Sequence, residues 1–106
     1  MSKMFWVWSY NFIHAERELD DWLTKILVPR LKGIKEIGLV VTYRRVFGLG
    51  QRPIYQTWIE IPDFAFFNKW SKLIKEKEWQ DTFHTFFTLA KDFNTSIMRS
   101  IFRVTP

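Results

Sequence analysis

Residues Met4-Phe5-Trp6-Val7-Trp8-Ser9-Tyr10-Asn11-Phe12 decide the fold. Side chains alternate across a strand, so Met4, Trp6, Trp8, Tyr10 and Phe12 share one face while Phe5, Val7, Ser9 and Asn11 share the other. Both series are largely apolar, and a strand of that kind belongs in the middle of a sheet, covered on two sides. The rest of the chain must therefore supply strands on its flanks and a layer above.

Downstream, Leu19, Trp22, Leu23, Ile26, Leu27 and Leu31 recur at helical spacing over Ala15 to Leu31, with acids early and Lys25, Arg30 and Lys32 late, as the helix dipole favours. Pro29 removes an amide donor and is expected to kink or end this helix near Val28, with Gly33 as the stop. The β-branched run from Ile34 to Phe47 predicts a second strand, Gly48 to Pro53 its turn, and Ile54 to Ile61 a third strand, the pair forming an antiparallel hairpin.

Pro62-Asp63 reads as a helix start with Asp63 as cap, followed by a stripe of Phe66, Phe67, Trp70, Leu73 and Ile74. Lys75 to Glu78 breaks the stripe. A second helical piece carries Trp79, Phe83, Phe86, Phe87, Ala90 and Phe93 to about Asn94, and Ser96 to Val104 alternates as a fourth strand. The order βαββαβ in 106 residues, read as one domain over 1–106, predicts an α+β, ferredoxin-like fold: a four-stranded antiparallel sheet with its helices on one face. The first and third strands lie centrally. The other face has no roof, and an apolar patch of that size is rarely left in water, so a homodimer through the sheet face is expected.

Composition agrees. With 47% hydrophobic and 19% aromatic residues the chain is not disordered, and it carries more rings than one small core can hide. It has no Cys, which excludes disulfides and thiolate chemistry and makes the cytoplasm the default location. No apolar run approaches the roughly 20 residues of a membrane span, and residues 1–12 are too aromatic for a signal peptide. The net charge of +5 is spread along the chain rather than gathered, which describes a generic basic surface and neither a nucleic-acid nor a membrane partner.

Several stretches together resemble the dimeric α/β-barrel superfamily, in particular its NIPSNAP-like and antibiotic-biosynthesis-monooxygenase-like groups. They are the aromatics of Met4 to Phe12, Trp22 with Leu27, Pro29, Leu31 and Gly33, the run Val41 to Phe47, and Tyr55 to Asp63 leading into Phe67 and Trp70. The resemblance covers nearly the whole chain and implies dimerisation into an α/β barrel. It also implies a small apolar or aromatic ligand held between sheet and helices by Tyr10, Asn11 and Trp70, with cofactor-independent oxidation of that ligand as an activity. No cofactor is expected on that line.

The alternative it implies is haem. Asn11, Trp70 and His84 are similar to the Asn, Trp and His set of small haem-degrading monooxygenases, with His84 as the iron ligand, although the charged break at Lys75 to Glu78 separates Trp70 from His84. His84 flanked by Phe83, Phe86 and Phe87 also reads as a plain surface histidine. His14, beside Glu16 and Glu18, reads as a general base or as a solvated turn residue. Arg99 and Arg103, joined by Arg44 or Arg45, could clamp a carboxylate or phosphate, or pair with Glu36, Glu60 or a partner subunit's acids. A non-catalytic interaction module is the third reading. Gly48-Leu49-Gly50 opens no helix and so is no nucleotide loop, and neither a serine triad nor a His/Asp metal spacing is present.

Overall fold

The computed structural model describes residues 3–46, 48 and 54–101. Strand β1 (Met4–Phe12) is central, flanked by β3 (Tyr55–Ile61) and β4 (Ala90–Arg99), while β2 (Val40–Arg44) pairs outside β3, giving the antiparallel order β2-β3-β1-β4. Register follows the alternation: Trp6 stands opposite Ile59 and Ile97, Trp8 opposite Thr57 and Thr95.

The two apolar faces of β1 separate cleanly. Trp6, Trp8 and Tyr10 turn toward the helices, where Trp6 meets Phe66, Phe67 and Trp70, Trp8 meets Trp70, Phe83 and Phe86, and Tyr10 meets Phe86. Phe5, Val7 and Ser9 take the opposite face with Trp58, Gln56, Val41, Tyr43 and Met98, and Phe5 packs edge-on against Trp58. Among the described residues no helix covers that face. The extents of 40 × 39 × 20 Å correspond to two layers, one sheet and one tier of helices.

Four expectations need correction. First, Pro29 does not end the first helix. The chain runs as α1 (Glu16–Trp22), a π-helical turn (Leu23–Leu27) and α2 (Val28–Lys32). The amide of Val28 bonds the carbonyl of Leu23, five residues back. A proline ring collides with the carbonyl four residues before it, and one widened turn absorbs that collision without breaking the helix. Second, Asp63 serves α3 (Phe66–Leu73) through its main-chain carbonyl, which accepts from the Phe66 amide at 3.2 Å; no side chain caps that helix.

Third, β2 begins at Val40 rather than Ile34. Ile34 and Ile37 are buried from a pair of turns closed by the Ile34 amide on the Leu31 carbonyl and the Ile37 amide on the Ile34 carbonyl, both at 3.1 Å. Fourth, α4 (Lys77–Leu89) stops before Ala90, and β4 starts there instead of at Ser96. Ala90 is extended (φ −126°, ψ 152°), Asp92 takes the left-handed region (φ 56°), and the β1–β4 register slips between Ser9 and Asn11. An Asp accepts that conformation more readily than most residues, and the bulge turns Phe93 back into the core against Trp8, Phe86 and Phe87. The expected break between the helices holds, since α3 ends at Leu73 and α4 begins at Lys77. Most of the expected hairpin turn (residues 49–53) and the end of the expected last strand (residues 102–104) lie outside the described residues.

Candidate functional site

Strand register builds a polar cluster inside this aromatic core. Thr57 stands directly opposite Thr42 on β2 and Trp8 on β1, two residues from Tyr10; Tyr55 stands opposite both Tyr10 and Arg44. All of them face the helices. The Tyr10 hydroxyl lies 2.6 Å from Thr57 Oγ1, which lies 3.0 Å from Thr42 Oγ1. Tyr10 and Thr57 are wholly buried. The Tyr10 and Tyr55 rings stack with centroids 5.6 Å apart and only 5° between their planes.

Helix α1 closes the cluster from above. Glu16 and Asp20, one turn apart, share a helix face. The Tyr55 hydroxyl donates to Asp20 Oδ1 at 2.7 Å, and Arg44 Nη1 reaches Asp20 Oδ2 at 2.5 Å and Glu16 Oε1 at 3.2 Å. Burial, opposed by the bond to Thr57, pushes the Tyr10 phenol up to about 12. Burial and the adjoining Asp20 carboxylate raise Tyr55 as well. Both phenols are therefore neutral hydrogen-bonding groups at physiological pH. Glu16, Asp20 and Arg44 thus form one ion-pair cluster on the outer side of the phenols.

Beside this cluster lies a recess of about 350 Å³, lined by Asp20, Leu23, Thr24, Val28, Thr42, Arg44, Val46 and Tyr55. Its volume falls within the range of small-molecule sites. The π-helical turn supplies Leu23 and Thr24 to its wall, and such turns recur at functional sites.

The residues singled out from sequence separate in space. Tyr10 sits in the cluster. The Asn11 carboxamide is occupied elsewhere: its Oδ1 accepts from the Ile54 amide at 2.8 Å and its Nδ2 donates to Asp92 Oδ2 at 3.1 Å, tying the start of β3 to the β4 bulge. Trp70 is enclosed by Trp6, Trp8, Trp79 and Phe83. His84 is exposed on α4, in a shallow surface recess with Ile74, Gln80, Phe83, Phe87 and Thr88. Among the described residues no hydrogen bond or ring contact joins any two of Asn11, Trp70 and His84. His14 is exposed beyond the end of β1, and Arg99 is exposed on edge strand β4 opposite Met4. Arg103 lies outside the described residues. Lys69 pairs with Glu36 and Lys3 with Glu60, while Arg44 pairs with Glu16 and Asp20. Among the described residues no group of three or more His, Asp or Glu could hold a metal ion.

The interior around Trp8 is filled by rings: Trp6, Trp70, Phe83, Phe86 and Phe93 all touch it. Among the described residues its indole N–H meets no acceptor, a cost of about 1–3 kcal/mol that this packing outweighs. Thr42, Thr57, Tyr55 and Asp20 escaped the sequence reading. One signal could have found them: Thr57 interrupts the inward series Tyr55, Ile59, Ile61 with a hydroxyl.

No protein-family model and no curated protein matches the chain. Solved structures do. HapK from Hahella chejuensis superposes with a TM-score of 0.65 at 10% identity, over 100% of this chain and 96% of that one. An ethyl tert-butyl ether D (EthD) family protein from Bacillus halodurans C-125 gives 0.63 at 10% identity, over 95% and 99% of the two chains. At such identity the likeness is one of fold, and it extends from end to end: this chain is a ferredoxin-like α+β protein.

Proposed function

We propose that this chain is a homodimeric protein of the dimeric α/β-barrel kind that binds a small, uncharged, mainly apolar or aromatic molecule in the recess between α1, the π-helical turn and β2–β3. The observation that carries this reading is the meeting of an apolar wall (Leu23, Val28, the Tyr55 ring) with the outer hydroxyl of Thr42 in a recess of ligand size. Asp20 and Arg44, the charged residues that line the recess, are spent on each other, which favours an uncharged occupant. Oxidation of the occupant by dioxygen, without a protein-bound cofactor, is the activity carried over from the resemblance. Pairing with a second copy is supported by the unroofed face of Phe5, Val7, Trp58, Tyr43 and Met98.

The test uses N-phenyl-1-naphthylamine, a neutral aromatic fluorophore. Its emission should rise on mixing with the protein, and Thr24→Trp, which places a ring at the recess mouth from an exposed helix position, should weaken binding at least about tenfold, the loss of some 1.4 kcal/mol. Unchanged affinity in Thr24→Trp would refute the assignment. A second reading, a non-catalytic interaction module, is favoured by the ring-filled interior around Trp8; it leads one to expect no binding of the fluorophore, with dimerisation intact.

A further inference from the structure

Along the sequence the excess of positive charge is dispersed, but the fold gathers it. A groove of about 550 Å³ is walled by residues from Lys25 to Lys35 on one side and from Lys69 to Trp79 on the other. Taken with Glu36, which pairs with Lys69 at 2.5 Å, these two segments hold eight Lys and Arg against three Glu. The whole chain has 16 against 11, so its entire net charge of +5 lies in the walls of this groove and the remaining residues are balanced. Between the charges the lining is apolar, with Ile26, Leu73 and the buried Ile34 and Trp79. Arg30 is fixed at its edge: Nη1 donates to the buried Thr82 hydroxyl and Nε lies 3.4 Å from Glu78 Oε1. Among the described residues Lys25 and Lys35 make no hydrogen bond or ion pair; Lys35 acts on its neighbour Glu36 through space only. The Glu76 carboxylate, also in the lining, is likewise unpaired. Pairing restrains Arg30 and Lys69 without cancelling the excess.

We propose that this groove is a second binding site, which takes a single-headed organic anion with a hydrocarbon body, of the long-chain carboxylate kind. The head is drawn to Lys25 and Lys35, and the body lies on Ile26, Ile34, Leu73 and Trp79. The volume is that of a small-molecule site. A cleft walled by cations over an apolar lining concentrates anions near it, and burial of the hydrocarbon then selects those that carry one. A nucleic acid fits less well, because strand-binding surfaces offer exposed rings on which bases stack, and Trp79, the ring in this lining, is only 5% exposed. The groove shares no lining residue with the recess of Thr42 and Tyr55, so the assignment stands apart from the function proposed above.

The experiment titrates decanoate and 1-decanol, one chain with a charged and with a neutral head, into the ¹⁵N-labelled protein. Decanoate should move the amides of Ile26, Ile34 and Leu73 and the indole N–H of Trp79. It should bind at least about tenfold more tightly than decanol at roughly 10 mM salt, where the Debye length is about 30 Å, and the ratio should fall toward unity near 1 M, where it is about 3 Å. Lys25→Glu with Lys35→Glu, both at exposed positions, should weaken decanoate at least about tenfold while decanol stays within about twofold. Equal affinity for the two probes, a ratio that salt does not move, unchanged decanoate affinity in the double variant, or shifts confined to Thr42 and Tyr55 or to the open sheet face would overturn the site. The two sites fail separately, because N-phenyl-1-naphthylamine reads the recess and decanoate reads the groove.

Discussion

The hydroxyl of Tyr10 and that of Thr57 lie 2.6 Å apart, both sealed from solvent, on neighbouring strands that the chain separates by 47 residues. Neither group could be buried alone at tolerable cost; each is the other's partner. Their pairing fixes the hydroxyl chain that ends at the recess.

Replacing Tyr10 by Phe keeps the ring stack on Tyr55 and removes only the donor. The expected loss is about 1 kcal/mol, since Thr57 keeps Thr42 as a partner. Urea unfolding of Tyr10→Phe against wild type measures it; a loss above about 3 kcal/mol would show that the ring itself had been displaced.

Alkaline pH should reveal the buried phenol. The folded-state value of about 12 exceeds the ordinary 10.0, so the unfolded chain gives up this proton first. The stability it contributes is complete below pH 10, falls by about 1.4 kcal/mol per pH unit between the two values and is gone once pH passes 12. Tyr10→Phe should reduce the alkaline slope while Tyr55, which is also raised, keeps part of it, and the wild-type near-ultraviolet phenolate signal should show one more late-ionising step than the variant's.

Asn11 is expected to be a structural tie. Asn11→Ala leaves the Ile54 amide and the Asp92 carboxylate without their shared partner, and a loss of about 2 kcal/mol should follow. Amide hydrogen exchange at Ile54 should accelerate more than exchange at Ile59. Wild-type stability in Asn11→Ala, together with lost binding of N-phenyl-1-naphthylamine, would return this residue to the ligand site.

The unroofed face should hold two copies together. Tyr43 and Met98 are exposed there, 57% and 47%, so Tyr43→Glu with Met98→Glu adds charge the lone protomer tolerates and a dimer does not. Sedimentation should give the mass of two chains for wild type and of one for the double variant. A wild-type monomer at micromolar concentration would remove the dimer from the proposal.

Much of the fold was legible because Met4 to Phe12 could be nothing but a central strand, and because Tyr55 to Ile61 alternates so regularly. Which face of β1 turned inward was not legible, since both are apolar; the matter was decided by Phe66, Trp70 and Phe86, distant in sequence, which take Trp6, Trp8 and Tyr10. Phe86, Ala90 and Phe93 mimic helical spacing, yet Phe93 enters the same core from a strand, across a bulge made by Asp92 without help from Gly or Pro. The recess was the least legible part. Thr42, Thr57 and Asp20 become neighbours only through the β2–β3 register and the docking of α1, and no local pattern encodes either.

Amide chemical-shift mapping of the ¹⁵N-labelled protein during titration with N-phenyl-1-naphthylamine tests the recess most directly. The largest shifts should fall on Leu23, Thr24, Val28, Thr42 and Tyr55, with Phe5, Trp58 and Met98 unmoved. Shifts centred on the open sheet face or around His84, with Thr42 and Tyr55 silent, would contradict the recess as the place where this protein holds its ligand.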